Sequence, residues 1–524
     1  MKRSRRHFLR AATGIAITVS CHRSIGSAGT RTWRCVYPLT LDAAGKPFER
    51  GEAAIEFESS DHKLVDGFRW AKSQALAYAR ADGTIGPWYE AALPGRNAFC
   101  MRDVSHQSTG AQFLGLGPRT LNMLRRFAAN ISASKKWCSW WEITRENLPA
   151  PVDFKNDRDF WYDLPANFDV LDACYRQWLW SRNDAYLDET FLNYYRHTVT
   201  DYVDAWDRGH NGLLEHLSSD GHMGIATYDE DLQWDVLVGS DLIAAQYAAY
   251  RDYAAIERAK NEPKIAEEFE QKANHLKELY NTQWWNSARN RYYEDLGEDG
   301  KFISDLKEGN GRSALELPLY FGLTASGTKT ETALDILEDR LKADLAQSSA
   351  AIGGVEGRSY MPDIFYKYGR SRAGYSALTA LMDPNLKRRD YPEVSYAVIG
   401  NLCSGLMGIR PLQRANAIET LPQLTGETSW AALHHAPVGL NVISVRHTSR
   451  GASTEPVASI SILTNEDGPE IAWQPGFSQK SSVLLVNGKR TSAQRKPLAG
   501  GGEGSYCEVR VRPGETCTIS IPAV

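Results

Sequence analysis

The sequence predicts a mainly α protein: an (α/α)6 toroid of six helical hairpins, with a small N-terminal β segment and a C-terminal β-sandwich. Three observations predict this fold class. A helical spacing of apolar residues begins at Val65 and continues for about 340 residues. The connections between the predicted helices alternate between short and long. After Leu412 the pattern changes to alternating apolar and polar residues separated by Gly, Asn and Pro, which is typical of strands.

Residues 1–28 predict a twin-arginine signal peptide. The segment Ser4-Arg5-Arg6-His7-Phe8-Leu9 is followed by an apolar run over residues 11–20, and a small-residue cleavage site ends at Ala28. The apolar run is too short to span a bilayer, so no integral membrane segment is expected after signal cleavage. We expect a periplasmic or secreted protein, with a lipoprotein anchored at Cys21 as the alternative.

The mature chain is predicted to have three parts: a β lead-in at 29–60, a helical barrel at 61–412 and a β-sandwich at 413–524. The lead-in and the sandwich alternate apolar and polar residues, as half-buried strands do. The barrel contains twelve predicted helices. They cover residues 65–80, 103–115, 118–133, 166–181, 184–206, 235–256, 262–283, 313–322, 328–344, 359–368, 371–382 and 393–407.

Long connections follow the odd-numbered helices, and in a toroid of hairpins every second connection opens onto the same face. Long loops without regular structure are usually functional. These loops carry most of the unusual residues of the chain, so a functional site is predicted on that face. The long connections are 81–102, 134–165, 207–234, 284–312, 345–358 and 383–392.

The composition favours a carbohydrate as the substrate or ligand. A net charge of −4 gives no electrostatic reason to bind nucleic acid, and none is expected. The 15 Trp and 24 Tyr residues supply flat rings with polar edges, which suit the C–H faces and hydroxyls of sugars. The composition does not indicate an oligomeric state.

Two acidic segments are the predicted catalytic residues. Asp229, Glu230 and Asp231 lie in one long loop, and Glu393 follows Pro392 at the start of the last predicted helix. Hydrolysis of an acetal needs one carboxylic acid to protonate the leaving oxygen and one carboxylate to act on the other side. We favour Glu230 as the acid, with Asp229 second, and Glu393 as the base. The alternative is that these acids only stabilise helix N-termini.

Residues on the same predicted face are candidates for substrate binding. An adjacent Arg102 and Asp103 can donate to and accept from sugar hydroxyls, and His106 follows one helical turn later. Trp141 with Glu142 is predicted to form a stacking platform. Glu356 and Arg358 complete the set of substrate-binding candidates.

The same face is predicted to be more cationic than the whole protein. Arg102, Arg358, Arg388 and Arg389 fall on its loops and helix starts. A cationic rim would suit a uronic acid or another carboxylated sugar.

No cofactor and no metal is expected. The sequence contains no GxSxG segment, no Gly-rich phosphate loop and no HExxH segment. His210, His216 and His222 are not at the spacing of metal ligands on a helix.

At this level the chain resembles the six-hairpin glycosidases, and a helical toroid followed by a β-sandwich is similar to α-L-rhamnosidase-type enzymes. The resemblance rests on Arg102-Asp103, on Tyr228-Asp229-Glu230 and on Glu393, and it spans residues of about 60–520. It implies an exo-acting glycoside hydrolase that works with inversion and without a metal, on rhamnose or a uronic acid. The glucoamylase Trp-Glu-Glu acid motif is Tyr-Asp-Glu here, so Asp229 and Glu230 both remain candidates for the acid.

Two other functions are compatible with the sequence. A polysaccharide lyase on a similar toroid would recruit Tyr228 or His106 as the base and Arg102 to neutralise a uronate. A carbohydrate-binding protein without turnover would result if the two acidic loops faced away from the cleft.

Overall fold

The computed structural model describes residues 52–220, 224–228, 236–303, 313–346, 354–414, 416–449 and 458–522. The predicted signal peptide and most of the predicted β lead-in lie outside the described residues. Asp229, Glu230 and Asp231 also lie outside them.

Helices form most of the chain up to Gly400. They are α1 His62–Ala77, α2 Met101–Phe113, α3 Gly117–Ala129, α4 Ala166–Ser181, α5 Glu189–Val199, α6 Asp201–Trp206, α7 Ser240–Ala259, α8 Pro263–Gln283, α9 Ser313–Phe321, α10 Thr328–Ala346, α11 Val355–Lys367, α12 Ser371–Met382 and α13 Pro392–Gly400.

Six helices form a closed inner ring, in the order α2, α4, α7, α9, α11 and α13. Each packs against the next, and α13 returns to α2. The other helices lie outside this ring. The alternation of inner and outer helices along the chain confirms the predicted toroid.

Burial patterns explain which helices are inside. Every residue of α13 is buried, so this helix can only be surrounded by protein. In the outer helix α8, the buried residues Ala266, Phe269, Ala273, Leu276 and Tyr280 follow a spacing of three and four, which is one helical face. Outer helices therefore cover the ring with one apolar stripe and present the rest to solvent.

Short strands occur at the start of the described chain and in the connections between helices. They are β1 Glu56–Ser59, β2 Ala79–Arg80, β3 Trp88–Tyr89, β4 Ala98–Cys100, β5 Glu142–Thr144, β6 Phe154–Asn156, β7 Asp159–Phe160, β8 Tyr162–Asp163, β9 Gly224–Ile225, β10 Val236–Gly239, β11 Trp285–Asn286, β12 Arg291–Tyr292, β13 Asp295–Gly297 and β14 Phe302–Ile303.

The C-terminal part consists of strands. They are β15 Ile409–Pro411, β16 Ala417–Thr420, β17 Trp430–Val438, β18 Asn441–Ser449, β19 Ala458–Asp467, β20 Ile471–Phe477, β21 Val483–Val486, β22 Lys489–Ser492, β23 Gln494–Pro497, β24 Glu503–Tyr506, β25 Val509–Val511 and β26 Thr516–Ser520.

These strands form two sheets. One has the order β1-β17-β18-β19-β26-β21-β22, and the other has the order β15-β16-β20-β24-β23 with β25 paired to β20. In the first sheet β1 is antiparallel to β17, with Glu56 opposite His434. The segment before the first helix is therefore a strand of the C-terminal sheet, a long-range pairing that sequence periodicity cannot indicate.

Three of the differences between the predicted and observed helices have a clear structural cause. The predicted helix 184–206 is divided, because the backbone departs from helical geometry at Thr200 (φ −123°, ψ −90°) between α5 and α6. The predicted start at 235 is five residues too early, since Val236–Gly239 pairs with β13 as a strand before α7 begins at Ser240. The last predicted helix changes to a π-helix over Asn401–Leu406.

Close packing of α2 against α13 depends on Gly110. A Cβ atom at this position would lie 2.1 Å from the backbone oxygen of Tyr396, closer than any real contact. A Cβ atom at Gly400, in the same interface, would lie 3.4 Å from the Gly110 nitrogen, an ordinary contact. Gly110 thus allows the two helices that carry His106 and Glu393 to approach each other.

Gly110→Ala is expected to lower the free energy of unfolding by about 1–3 kcal/mol, because the backbones must separate. Gly400→Ala is the matched control and is expected to be neutral or stabilising by up to ~1 kcal/mol, since Ala favours a helix over Gly. Denaturant unfolding of both variants measures this. Equal stabilities of the two variants would contradict the proposed close approach.

None of the described helices combines the length and the apolar character needed to cross a bilayer.

Candidate active site

A carboxylic acid lies in the first turn of every helix of the inner ring. Among the outer helices of the described structure, α5, α6 and α10 also carry such an acid, whereas α1, α3, α8 and α12 carry none. A helix N-terminus stabilises a negative charge, so each position is locally favourable. The six acids are Asp103, Asp169, Asp241, Glu316, Glu356 and Glu393.

All six acids are buried or partly buried, which a solvated helix start would not require. The ring therefore collects carboxylates at the end where the long connections emerge. We call these six residues the carboxylate ring.

Direct contacts join the starts of α2 and α13. The hydroxyl of Tyr391, the residue before α13, donates a 2.5 Å hydrogen bond to Asp103 Oδ1. Burial and the nearby Glu393 raise the pKa of Asp103 to about 7, although Arg102 and the Tyr391 hydroxyl act in the opposite direction. Asp103 thus changes its charge near neutral pH.

Glu393 is fully buried and half paired. Its Oε1 atom lies 2.6 Å from Nδ1 of His106. Its Oε2 atom has no hydrogen-bond partner among the described residues. A buried acceptor without a protein partner is unusual, and it is suited to accept a hydrogen bond from a water or a substrate.

His106 lies beside Glu393 in the interior. Its ring is stacked on Tyr360 at 3.7 Å between centroids, and Asp363 Oδ2 is 3.7 Å from Nε2. Burial lowers the pKa of His106, but Asp363 and Glu393 outweigh that effect and raise it to about 9. His106, predicted as a substrate-binding residue, is therefore a buried cation between two carboxylates.

Arg102 stacks on Tyr228 and is available to a ligand. Its guanidinium lies 4.8 Å from the centroid of the Tyr228 ring, and the structure gives it no hydrogen bond to any described residue. The Tyr228 hydroxyl donates to Asp169, and the Tyr228 backbone N–H donates to Asp241 Oδ2 at 2.8 Å. Tyr228, the residue before Asp229, is therefore held in place by contacts with α4 and α7.

Burial raises the pKa of Asp169 to about 7; the Tyr228 hydroxyl lowers it and Asp172 raises it. Burial and Asp169 also raise the pKa of the Tyr228 hydroxyl above its usual value. Tyr228 therefore remains a neutral phenol at physiological pH.

Arg102→Met is expected to lower kcat/KM by roughly 10–100-fold, the loss that follows from removing one or two charged hydrogen bonds to a substrate. Its thermal midpoint is expected to change little, because Arg102 donates no hydrogen bond within the described structure. Arg446, which lies over the Trp430 ring at 4.0 Å in the C-terminal sheet, provides the matched control Arg446→Met. A similar fall in activity in both variants would contradict the assignment of Arg102 as a substrate-binding residue.

Trp141 and Glu142 are in the wall next to α2. Trp141 is only 8% exposed, so it presents no open face to a sugar in this structure. Glu142 lies in β5 opposite Cys100, and its carboxylate is 2.6 Å from Arg96. Burial and Asp153 raise the pKa of Glu142 to about 8, against the effect of Arg96. These contacts indicate a supporting position rather than a stacking platform.

Two of the four arginines of the predicted cationic rim are paired with carboxylates. Arg358 is 3.2 Å from Asp344, and Arg388 is 2.7 Å from Glu356. Arg389 lies over an aromatic ring, 3.7 Å from its centroid. Arg102 also lies over an aromatic ring, that of Tyr228, so two of the four arginines are paired with carboxylates and two stack on rings.

Several residues of the site have no counterpart in the sequence prediction. Asp363 on α11, Tyr391 before α13 and Asp169 on α4 all contact predicted site residues. The sequence does contain a signal for Asp169, because it is an acid in the first turn of the mostly apolar helix α4. The contacts of Tyr360 and Asp363 depend on packing between helices and leave no local pattern.

No group of three or more His, Cys, Asp or Glu side chains in the described ranges is arranged to hold a metal ion.

Solved structures with the same fold include enzymes that act on sugars. A GH78 family rhamnosidase of Bacillus sp. GL1 matches with a TM-score of 0.55 and 16% identity over 76% of this chain and 41% of that chain. An α-L-rhamnosidase from Dictyoglumus thermophilum matches with a TM-score of 0.57 and 10% identity over 90% of this chain and 51% of that chain. A sialidase matches with a TM-score of 0.56 and 10% identity over 86% of this chain and 41% of that chain. No protein-family model and no curated protein matches the sequence.

This chain spans 41–51% of the length of those structures. At 10–16% identity the likeness shows the fold. The chain therefore has the six-hairpin (α/α)6 toroid fold that rhamnosidases share with other glycosidases, as its sequence predicted.

Proposed function

We propose that this protein is an exported, exo-acting glycoside hydrolase that works with inversion and releases a neutral terminal sugar of the rhamnose type. The observation that carries the proposal is the carboxylate ring with Glu393 in it, fully buried and with one carboxylate oxygen unpartnered among the described residues. The shared fold of rhamnosidases supports it.

Glu393 is the proposed base. Its Oε2 atom accepts a proton from a water molecule while the water oxygen forms a bond to the anomeric carbon. On the opposite side a carboxylic acid protonates the leaving oxygen as the glycosidic bond breaks, so the product has the inverted configuration. Glu230 is the proposed acid, with Asp229 as the alternative; both follow Tyr228 directly in the chain.

The charges at the site favour a neutral sugar over a uronic acid. The carboxylate ring has six acids, and the cations that lie next to it include Arg102, Arg388, which is paired with Glu356, and His106, which is paired with Glu393. A sugar carboxylate would meet net negative charge in a poorly solvated place. Sugar hydroxyls, in contrast, can donate to carboxylates and accept from Arg102.

The lyase alternative is disfavoured by the same geometry. A lyase needs a base that is neutral or anionic at the working pH. Tyr228 is a buried phenol that donates to Asp169 and has a raised pKa, and His106 is cationic. Neither residue is poised to remove a proton.

Release of p-nitrophenol from a panel of aryl glycosides tests the proposal. Hydrolysis of the α-L-rhamnoside, with the β-D-glucuronide cleaved far more slowly, is the expected result. Preference for the glucuronide would overturn the assignment of a neutral sugar. Formation of unsaturated products that absorb in the ultraviolet from uronate polymers would identify a lyase.

A crystal structure in which both acidic segments are resolved tests the catalytic pair. The carboxyl groups of Glu393 and of Glu230 or Asp229 are expected to be about 6.5–9.5 Å apart, which leaves room for a water molecule. A separation of about 5 Å would indicate retention of configuration instead.

Export is proposed from the twin-arginine pattern at Arg5-Arg6. Replacement of both arginines by lysine in the full chain is expected to prevent the appearance of the protein outside the cytoplasm. Unchanged fractionation would contradict this route.

A further inference from the structure

Asp363, His106 and Glu393 form a continuous row of alternating charges across the inner ring. Nδ1 of His106 is 2.6 Å from Glu393 Oε1, and its Nε2 is 3.7 Å from Asp363 Oδ2. His106 is on α2, Asp363 on α11 and Glu393 on α13, so three different helices of the ring must be in place to build the row.

The row is held rigidly. The His106 ring is stacked on Tyr360 with an interplanar angle of 10°, and the edge of Tyr320 approaches it at 6.1 Å between centroids. Asn401 Nδ2 donates to Asp363 Oδ2 at 3.2 Å. These contacts leave the imidazole one orientation, in which each nitrogen faces a carboxylate.

The two ends of the row differ in their surroundings. Glu393 is completely buried, whereas the Asp363 side chain is 28% exposed. Asp363 lines a cavity of about 290 Å³ whose other walls include Phe321 and Lys367, at the C-terminal ends of α9 and α11. The row therefore joins two different carboxylates. Asp363 is accessible to water through the cavity, whereas Glu393 is buried.

We infer that His106 and Asp363 are positioning residues for Glu393: Asp363 orients the imidazole, and the imidazole fixes Oε1 so that only Oε2 points to the attacking water. This inference rests on the proposed function, because it takes Glu393 to be the base. The nearby imidazolium favours the charged form of a carboxylate, which a base must have.

Other charged and titratable groups surround the imidazole and set the background for its ionisation. Tyr320 on α9 and Tyr360 on α11 contact its ring, Arg102 and Asp103 precede it on α2, and the Asp172–Arg176 ion pair lies on the adjacent helix α4. The two carboxylates next to the ring outweigh its burial, and its pKa of about 9 agrees with a cation at neutral pH.

The first experiment needs no substrate. The imidazole protons of His106 are followed by NMR as the pH is raised, and they are assigned by their loss in His106→Gln. His106 is expected to titrate well above pH 7, and Asp363→Asn is expected to lower its midpoint by at least about one pH unit, because one of two stabilising anions is lost. A midpoint below 7 in the unmodified protein, or no shift in Asp363→Asn, would overturn the inference.

The second experiment is the pH profile of kcat/KM for the aryl rhamnoside. His106→Gln is expected to move the acid limb to higher pH by about 1–3 units, because the site loses a buried positive charge next to the proposed base. A merely structural role would lower activity at every pH without moving this limb, and such a result would overturn the inference.

A matched control exists on the outer surface. His197 Nδ1 is 2.8 Å from Asp201 Oδ2, a similar His–Asp pair on α5 and α6. Asp201→Asn is expected to leave the pH profile unchanged. If the unmodified protein cleaves none of the glycosides, the proposed function fails. If it cleaves them but His106→Gln keeps the original acid limb, only the positioning role fails.

Discussion

Replacing Glu393 with Gln is expected to lower kcat by about 10²–10⁴-fold, the contribution of a general base. Gln keeps the shape of the side chain and can still hydrogen-bond, but it cannot take a proton from water. KM is expected to change little, because the base acts mainly in the transition state. Initial rates on the aryl rhamnoside, with protein folding checked by circular dichroism, measure the effect.

A second buried or partly buried glutamate in contact with a histidine supplies the control. Glu466 in the C-terminal sheet is 2.7 Å from His435 Nδ1, and it also accepts from the Ser444 hydroxyl. Glu466→Gln removes a comparable charge from a comparable pair and is expected to leave kcat unchanged. Near-normal turnover of Glu393→Gln would show that the base is a different residue.

Replacing Glu230 with Gln is expected to give the second large effect, and the size should depend on the leaving group. A substrate with a poor leaving group needs protonation and is expected to lose about 10²–10⁴-fold in kcat/KM. The p-nitrophenyl glycoside has a good leaving group and is expected to lose much less. Rates on an alkyl and an aryl rhamnoside compared in one variant measure this difference.

Asp229→Asn and Asp231→Asn separate the three neighbouring acids. Only the variant of the true acid should show a loss that depends on the leaving group. The pattern is expected for Glu230 and absent for Asp231. The same pattern in Asp229→Asn instead would transfer the role to Asp229, and its absence from all three variants would place the acid elsewhere.

Most of the toroid could be predicted from the sequence because it is built from helices whose periodicity is local. The errors in the helix predictions are at helix boundaries, and the clearest is α7, where Val236–Gly239 forms a strand because β13 lies beside it. The pairing of β1 with β17 joins Glu56 to His434, which are far apart in the chain, and leaves no local pattern either.

Four of the predicted site residues lie close together, but their contacts could not be predicted. Arg102, Asp103, His106 and Glu393 do come together at the starts of α2 and α13, as the order of the hairpins implied. Their roles depend on neighbours that only packing supplies. His106 is buried between Glu393 and Asp363 rather than open to a sugar.

Charge was the least predictable property. A sequence shows how many arginines are near a site but not which carboxylates they pair with. Arg388 with Glu356 and Arg358 with Asp344 are pairs between separate segments, and they turn an expected cationic rim into a site dominated by acids. This change is the reason that a neutral sugar is now favoured.

The most direct test of the central claim, that Glu393 activates water opposite a second acid, is the configuration of the first-formed sugar. Proton NMR of the reaction with an α-L-rhamnoside resolves the anomers before they interconvert. The β-anomer of rhamnose is expected to appear first and to equilibrate later. Initial release of the α-anomer would require a covalent intermediate and would contradict the role given to Glu393.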